Sequence, residues 1–189
     1  MRFVLPCLLW TVVALAATSP AQGATSDASA DASDAASRLP FDQPRAGLYT
    51  AGQPTIEQLR QAAAAGVTTV IDLRAAEEDR GHDEPTEAAT LGLRYIALPV
   101  AGAAGVTVDS ARQLHALIAA SDGPVLVHCA SGNRVGALLA LAAAHVDGAD
   151  NDTALAFGRA AGLGSLLPVV EKHMPATAAD MAGQNTEQP

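Results

Sequence analysis

The sequence predicts an α/β domain, a central and mostly parallel sheet flanked by helices. Short apolar, β-branched runs alternate with helical stretches from Leu48 onward, and that alternation is the mark of a helix-covered parallel sheet. Pro124-Val125-Leu126-Val127 runs directly into His128-Cys129-Ala130-Ser131-Gly132-Asn133-Arg134. Then comes Ala137 to Val146, whose only polar residue is His145. A helix that is apolar all round belongs in the middle of a fold. A core strand, a tight loop and a core helix therefore follow one another, and the 189 residues suit one domain of ordinary size.

At the N-terminus, Phe3 to Ala17 is a largely apolar run, too short to span a bilayer comfortably, with small residues after it. It reads as a secretory signal peptide over 1–21, with an uncleaved anchor as the alternative. Residues 22–38 are mostly Ala, Ser, Thr, Gly and Asp, a flexible linker that cannot bury enough apolar surface to offset the entropy of ordering. The folded domain is expected over 39–174, with a disordered tail over 175–189.

Gly47 to Ala51 suggests a short edge strand, and Gly52-Gln53-Pro54 a turn. Thr55-Ile56-Glu57-Gln58 is a capping box, so a helix starts at 54 or 55 and runs to Ala65, with Gly66 as its stop. Val67 to Leu73 reads as a buried strand and Ala75 to Asp83 as a charged loop. A short helix over 84–91 and a strand over 93–98 follow. The Gly- and Ala-rich stretch 99–106 is a loop. Thr107 caps a helix through Ala120, with Asp109 in its first turn. After the strand and the core helix, Gly148 marks a stop, and two further helices are expected over 152–160 and 165–174.

The sequence has two cysteines, and removal of the leader takes Cys7 and leaves Cys129 alone. An unpaired thiol in an exported chain needs a reason, because oxidising compartments tend to consume it. The loop that follows supplies one. Its backbone N–H groups and the helix N-terminus would converge on one spot, which suits an anion. The same surroundings favour the thiolate of Cys129, a nucleophile. Arg134 offers a planar fork for two oxygens of a phosphate or sulfate. Cys129 and Arg134 are thus the candidate catalytic pair. His128, Ala130, Ser131, Gly132 and Asn133 form the candidate anion loop, acting mainly through backbone N–H groups. His128 could tune the thiolate through hydrogen bonds to that loop, and is read as buried and structural rather than as a proton shuttle. Ligands of such sheets bind beyond the carboxyl ends of the strands, where Cys129 lies.

Net charge is −9, with basic residues scattered rather than clustered. That argues against nucleic acid as a partner and leaves anion capture to short-range contacts. No His, Asp or Glu spacing fits a metal site, so neither metal nor cofactor is expected. Without its leader the chain would have no stable membrane association.

Gly52-Gln53-Pro54, Val70-Ile71-Asp72-Leu73-Arg74 and Val127-His128-Cys129 through Arg134 together resemble the cysteine-dependent phosphatase superfamily. More narrowly, they resemble its bacterial beta-lactamase-hydrolase-like, phosphatase-like branch. The resemblance covers roughly residues 48–146. It implies a dual-specificity-phosphatase-like fold, Cys129 as phosphoryl acceptor and Arg134 as phosphate clamp. The partner would be a phosphorylated small molecule or a phosphoprotein in the periplasm or outside the cell.

The sequence departs from that pattern in three places. Four residues separate Cys129 from Arg134, one fewer than is usual in the superfamily, and Val135 stands where a Ser or Thr is usual. The loop that would carry an Asp general acid reads Leu98-Pro99-Val100-Ala101-Gly102, without a carboxylate. Asp109 and Asp83 are the candidate substitutes; a helix first-turn Asp and a solvated loop are the simpler readings. His82 and Glu84 lie on the same charged stretch, which could fold over the site, and Arg74 is a further candidate for substrate contact. The shorter loop also resembles that of the rhodanese family, whose Cys carries a persulfide. That makes sulfur transfer the alternative chemistry, with a non-catalytic anion-binding protein as a third reading.

Overall fold

A computed structural model of the chain describes residues 39–176. The expected leader, linker and all but the start of the expected tail lie outside that range. No helix among the described residues is long and apolar enough to cross a membrane.

Five strands form one sheet: β1 (Asp42–Arg45), β2 (Leu48–Ala51), β3 (Thr69–Asp72), β4 (Arg94–Ala97) and β5 (Val125–His128). Their order is β1-β2-β5-β3-β4. β2, β5, β3 and β4 pair in parallel, and β1 pairs antiparallel with β2. The mostly parallel sheet matches the expectation. β2, however, is not an edge: β1 lies outside it. Asp42-Gln43-Pro44-Arg45 carries no apolar alternation, and its Pro is tolerable only at an edge. Gly47, at φ 74°, makes the turn between the two strands.

The helices are α1 (Ile56–Ala64), α2 (Glu84–Thr90), α3 (Val108–Ala119), α4 (Asn133–His145), α5 (Asn151–Ala160) and α6 (Leu167–His173). Local chemistry sets their starts. Thr55 and Gln58 form the capping box of α1. Asp83, Thr107 and Asp150 each accept a backbone N–H at the heads of α2, α3 and α5.

Alternation along the strands divides the core. Ile71, Val125, Val127 and Cys129 join one cluster with Val135, Leu138 and Leu141 of α4. Val70 and Leu126 join the other, with Leu59 of α1, Ala88 of α2 and Leu93. Successive side chains of a strand point to opposite faces. α4 is buried from Arg134 through Ala144, as its unbroken apolar run requires. It crosses α5 closely at two glycines. A Cβ on Gly136 would lie 2.1 Å from the Leu163 nitrogen, and one on Gly158 would lie 2.8 Å from the Gly136 carbonyl oxygen.

Candidate active site

The cysteine loop begins where β5 ends. Cys129 is fully buried, and its Sγ accepts a hydrogen bond from the Gly132 N–H at 3.2 Å. Gly132 makes this possible with a left-handed backbone, φ 83°, just before α4. Arg134 falls in the first turn of α4 rather than at the end of the loop, so one rigid helix carries the guanidinium.

The Gly52-Gln53-Pro54 turn clamps this loop from the β2 side. The Cys129 N–H donates to Ala51 O at 3.4 Å and the Gln53 N–H to Ala130 O at 3.3 Å. A Cβ on Gly52 would sit 3.1 Å from Ala130 O, so a larger residue would crowd the loop. The Gln53 side-chain amide donates to the carbonyl of Arg80. One turn therefore holds both the cysteine loop and the charged loop after β3.

That charged loop supplies a residue the sequence reading did not single out. Glu78 grips Arg134 end-on, with Oε1 accepting from Nη1 at 2.6 Å and Oε2 from Nη2 at 2.5 Å. Glu78 Oε1 also accepts the Ala75 N–H at 2.8 Å. Arg134 Nη1 further donates to Val100 O at 2.8 Å and Leu73 O at 3.4 Å. These contacts take Nη1 and the end of the fork. Among the described residues, Nε and the second Nη2 hydrogen, the side edge of the fork, have no hydrogen-bond partner. The Arg134 hydrogen bonds hold the Glu78 carboxyl below the usual range. Glu78 in turn raises Arg134 above its ordinary value, and nearby Cys129 adds to that effect.

Behind the loop lies a buried ionic cluster. Asp72 is its hub: it accepts from Arg74 Nε at 3.0 Å, Arg74 Nη2 at 3.2 Å, Arg80 Nε at 3.0 Å and the Tyr95 hydroxyl at 2.7 Å. Burial alone would raise its pKa. The Arg74 hydrogen bonds, with the His128 ring and Tyr95 nearby, outweigh burial and lower it to about 2. Arg74 also pairs with Glu84. Arg80 continues from Asp72 to the carbonyls of Ala76, Glu78 and Arg74 at 3.4, 3.2 and 3.3 Å. The hub thereby shapes the loop that presents Glu78.

The predicted site residues divide between these two regions. Cys129, Gly132 and Arg134 come together, with Ser131 and Asn133 on the cavity side. Ala130 is exposed; its carbonyl holds Gln53. His128 does not join the anion loop. Its ring is buried on the opposite face, with Nε2 2.7 Å from Glu84 Oε1 and Nδ1 3.9 Å from Asp72 Oδ1. Strand alternation turns His128 away from the face that Cys129 takes. Arg74 is fully buried in the hub and does not reach a substrate. The candidate acids are employed elsewhere. Asp83 caps α2, accepting from the Thr86 N–H and hydroxyl. Asp109 is an exposed partner of Arg112. Glu84, read as part of a charged stretch that could fold over the site, is fully buried.

Asp72, Glu84 and His128 place potential ligand atoms within 4.8 Å of one another, a grouping their sequence spacing did not reveal. The Arg74 guanidinium engages both carboxylates, while Arg74 Nη1, Glu84 Oε1 and both ring nitrogens of His128 are buried without a hydrogen-bond partner among the described residues.

A cavity of about 460 Å³ opens beside the cysteine loop. Ala75 and Glu78 line one side, Ala101, Gly102 and Ala103 another, and Ser131, Asn133 and Arg134 the floor; Ser165 and Leu166 close it. Asn133 fixes that last wall. Its Oδ1 accepts from the Gly164 and Leu166 N–H groups at 2.9 and 3.3 Å, and its Nδ2 donates to Ser165 Oγ at 2.6 Å.

Comparisons with known proteins bear on the fold and the family. A beta-lactamase hydrolase-like protein of Xylella fastidiosa is 36% identical over 98 residues, which is 50% of this chain and 22% of that protein. The chain thus spans about a fifth of the length of the curated relatives it matches. Among solved structures, a Neisseria meningitidis protein described as a candidate phosphatase superposes with a TM-score of 0.61 at 22% identity, covering 71% of this chain and 96% of that one. Pseudomonas aeruginosa TpbA superposes at 0.51 and 22% identity, covering 77% and 88%. Those likenesses show the dual-specificity and tyrosine phosphatase fold. The model of the family described as DSP-PTPase phosphatase fused to NAD+ kinase matches residues 20–165, and the chain belongs to that phosphatase-like family.

Proposed function

We propose that the chain is an exported, cysteine-dependent phosphatase that works through a phosphocysteine intermediate. One observation carries the reading: Arg134, fixed end-on by Glu78, leaves its side edge for an oxyanion beside Cys129, whose sulfur already receives the Gly132 N–H. An anion seated there would meet the nucleophile, a charged fork and the first turn of α4 together. Substrates would be phosphorylated small molecules or phosphoproteins of the periplasm or exterior.

The test is aryl phosphate turnover with trapping of the phosphoenzyme. Acid quench should show one phosphate per chain, absent from Cys129→Ser, while Cys129→Ser still gains melting temperature from inorganic phosphate. A phosphoenzyme mapping to another residue, or none in an active preparation, would overturn the mechanism.

The short loop favours a second reading, sulfur transfer. Four residues between Cys129 and Arg134 make a smaller cradle, which suits a single sulfur atom better than three phosphate oxygens. Thiosulfate-dependent thiocyanate formation from cyanide, with no aryl phosphate turnover, would select it.

A further inference from the structure

The walls of the cavity raise a question the cysteine alone does not answer: what protonates the leaving group. Among the described residues that line it, Glu78 and Arg134 are the only ionisable side chains. They are spent on each other. Both oxygens of Glu78 accept from Arg134, and Oε1 also accepts the Ala75 N–H. The carboxylate is the acceptor in each of these bonds and has no proton to donate. Arg134 does not give up a proton in proteins. The facing wall at Ala101, Gly102 and Ala103 offers only methyl groups and backbone. Ser131 and Ser165 add hydroxyls, too weakly acidic for the task. Asp83 and Asp109 are committed to Thr86 and Arg112.

We infer that this site serves phosphate compounds whose leaving group departs as a stable anion, namely acyl phosphates and esters of acidic phenols, rather than alkyl phosphates. The inference rests on the phosphoryl-transfer reading above. In the first step the Cys129 thiolate forms an S–P bond while the P–O bond to the leaving group breaks. The electron pair leaves on that oxygen as a free carboxylate or phenolate, with no proton moved. In the second step water attacks phosphorus and the S–P bond breaks. The thiolate returns, and both hydrogens of the water leave on dihydrogen phosphate. Neither step needs a proton donor from the protein. The substrate's own leaving group replaces the factor of about 10² to 10⁴ that a general acid typically supplies.

The experiment is a leaving-group series on the full chain: acetyl phosphate, then dinitrophenyl, nitrophenyl and phenyl phosphate, with Cys129→Ser as the blank. The readout is kcat/KM, which reports the first transfer. The expected result is a fall of at least about a hundredfold from the dinitrophenyl to the phenyl ester, the size of a missing general acid. Acetyl phosphate should rank with the fastest members. A fall of less than about tenfold would show a proton donor at work and overturn the inference while leaving the phosphatase reading intact. If the dinitrophenyl ester itself is inert, or Cys129→Ser turns it over equally well, the phosphatase reading fails and takes this inference with it.

Discussion

Glu78 holds Arg134 by both nitrogens of its fork, at 2.6 and 2.5 Å, across 56 residues of sequence. Among the described residues that line the cavity, Arg134 is the only cation, and the pair fixes its rotamer. Glu78→Gln keeps the shape of the side chain and loses the charge. It should lower kcat/KM for a reactive aryl phosphate by about tenfold, and Glu78→Ala by about a hundredfold, the scale of a misplaced binding group. The expected readout is a fall in kcat with melting temperature changed little, because the pair is partly exposed and such pairs contribute modestly to stability.

Arg134→Lys should be more damaging than its charge conservation suggests. A lysine is a point charge without a side edge, so it cannot hold Glu78 and an oxyanion at once. Loss of at least about a hundredfold in kcat/KM is expected, together with loss of the phosphate-induced rise in melting temperature. Retention of that rise would place the anion elsewhere.

Asp72 makes stability sensitive to acid. Its folded pKa, about 2, lies below its ordinary value of 3.8. The stabilisation is therefore complete above the ordinary value and fades as pH falls from there through about 2. The contribution is on the order of 2 kcal/mol. Asp72→Asn should remove that slope from a pH series of urea denaturation curves. It should also destabilise by about 1–3 kcal/mol at neutral pH, since it removes one of the two buried carboxylates that pair Arg74 and leaves only Glu84.

Gly136→Ala should destabilise the α4–α5 crossing. Its Cβ would fall 2.1 Å from the Leu163 nitrogen and 2.5 Å from the Gly158 oxygen, both backbone atoms. Overpacking of this kind costs about 1–3 kcal/mol or more. Gly148→Ala is the control: unlike the helical Gly136 it has a positive φ, 72°, and open space around it. Only the roughly 1–2 kcal/mol of a left-handed backbone should appear there. Denaturation midpoints of the two variants decide the point.

Asn133→Ala should loosen the wall formed by Ser165 and Leu166. The variant strands the Gly164 and Leu166 N–H groups that Asn133 Oδ1 receives. KM should rise by about tenfold with kcat nearly constant, as expected when uniform binding is removed. An equal loss in kcat would assign Asn133 to the reaction centre instead.

Much of the fold was legible because its signals are local. The Thr55–Gln58 box, the Thr107 cap and the apolar run after Arg134 each act within a few residues. The cysteine loop was legible for the same reason: Cys129, Gly132 and Arg134 are neighbours in the chain. β1 was not, since an edge strand need not alternate and Asp42-Gln43-Pro44-Arg45 does not.

By itself the sequence determined a mostly parallel α/β domain and a cysteine loop at the end of one of its strands. Only the tertiary structure decided the company that loop keeps. Strand alternation turns His128 toward Glu84 and Asp72 and turns Cys129 toward α4. The fold of the loop after β3 brings Glu78 to Arg134 and sends Arg74 inward. An ion pair between residues 56 positions apart leaves no periodic trace, because nothing in the intervening chain must change to form it. Glu77 and Glu78 differ in sequence by one place; the Asp72–Arg80 frame is what selects the second of them.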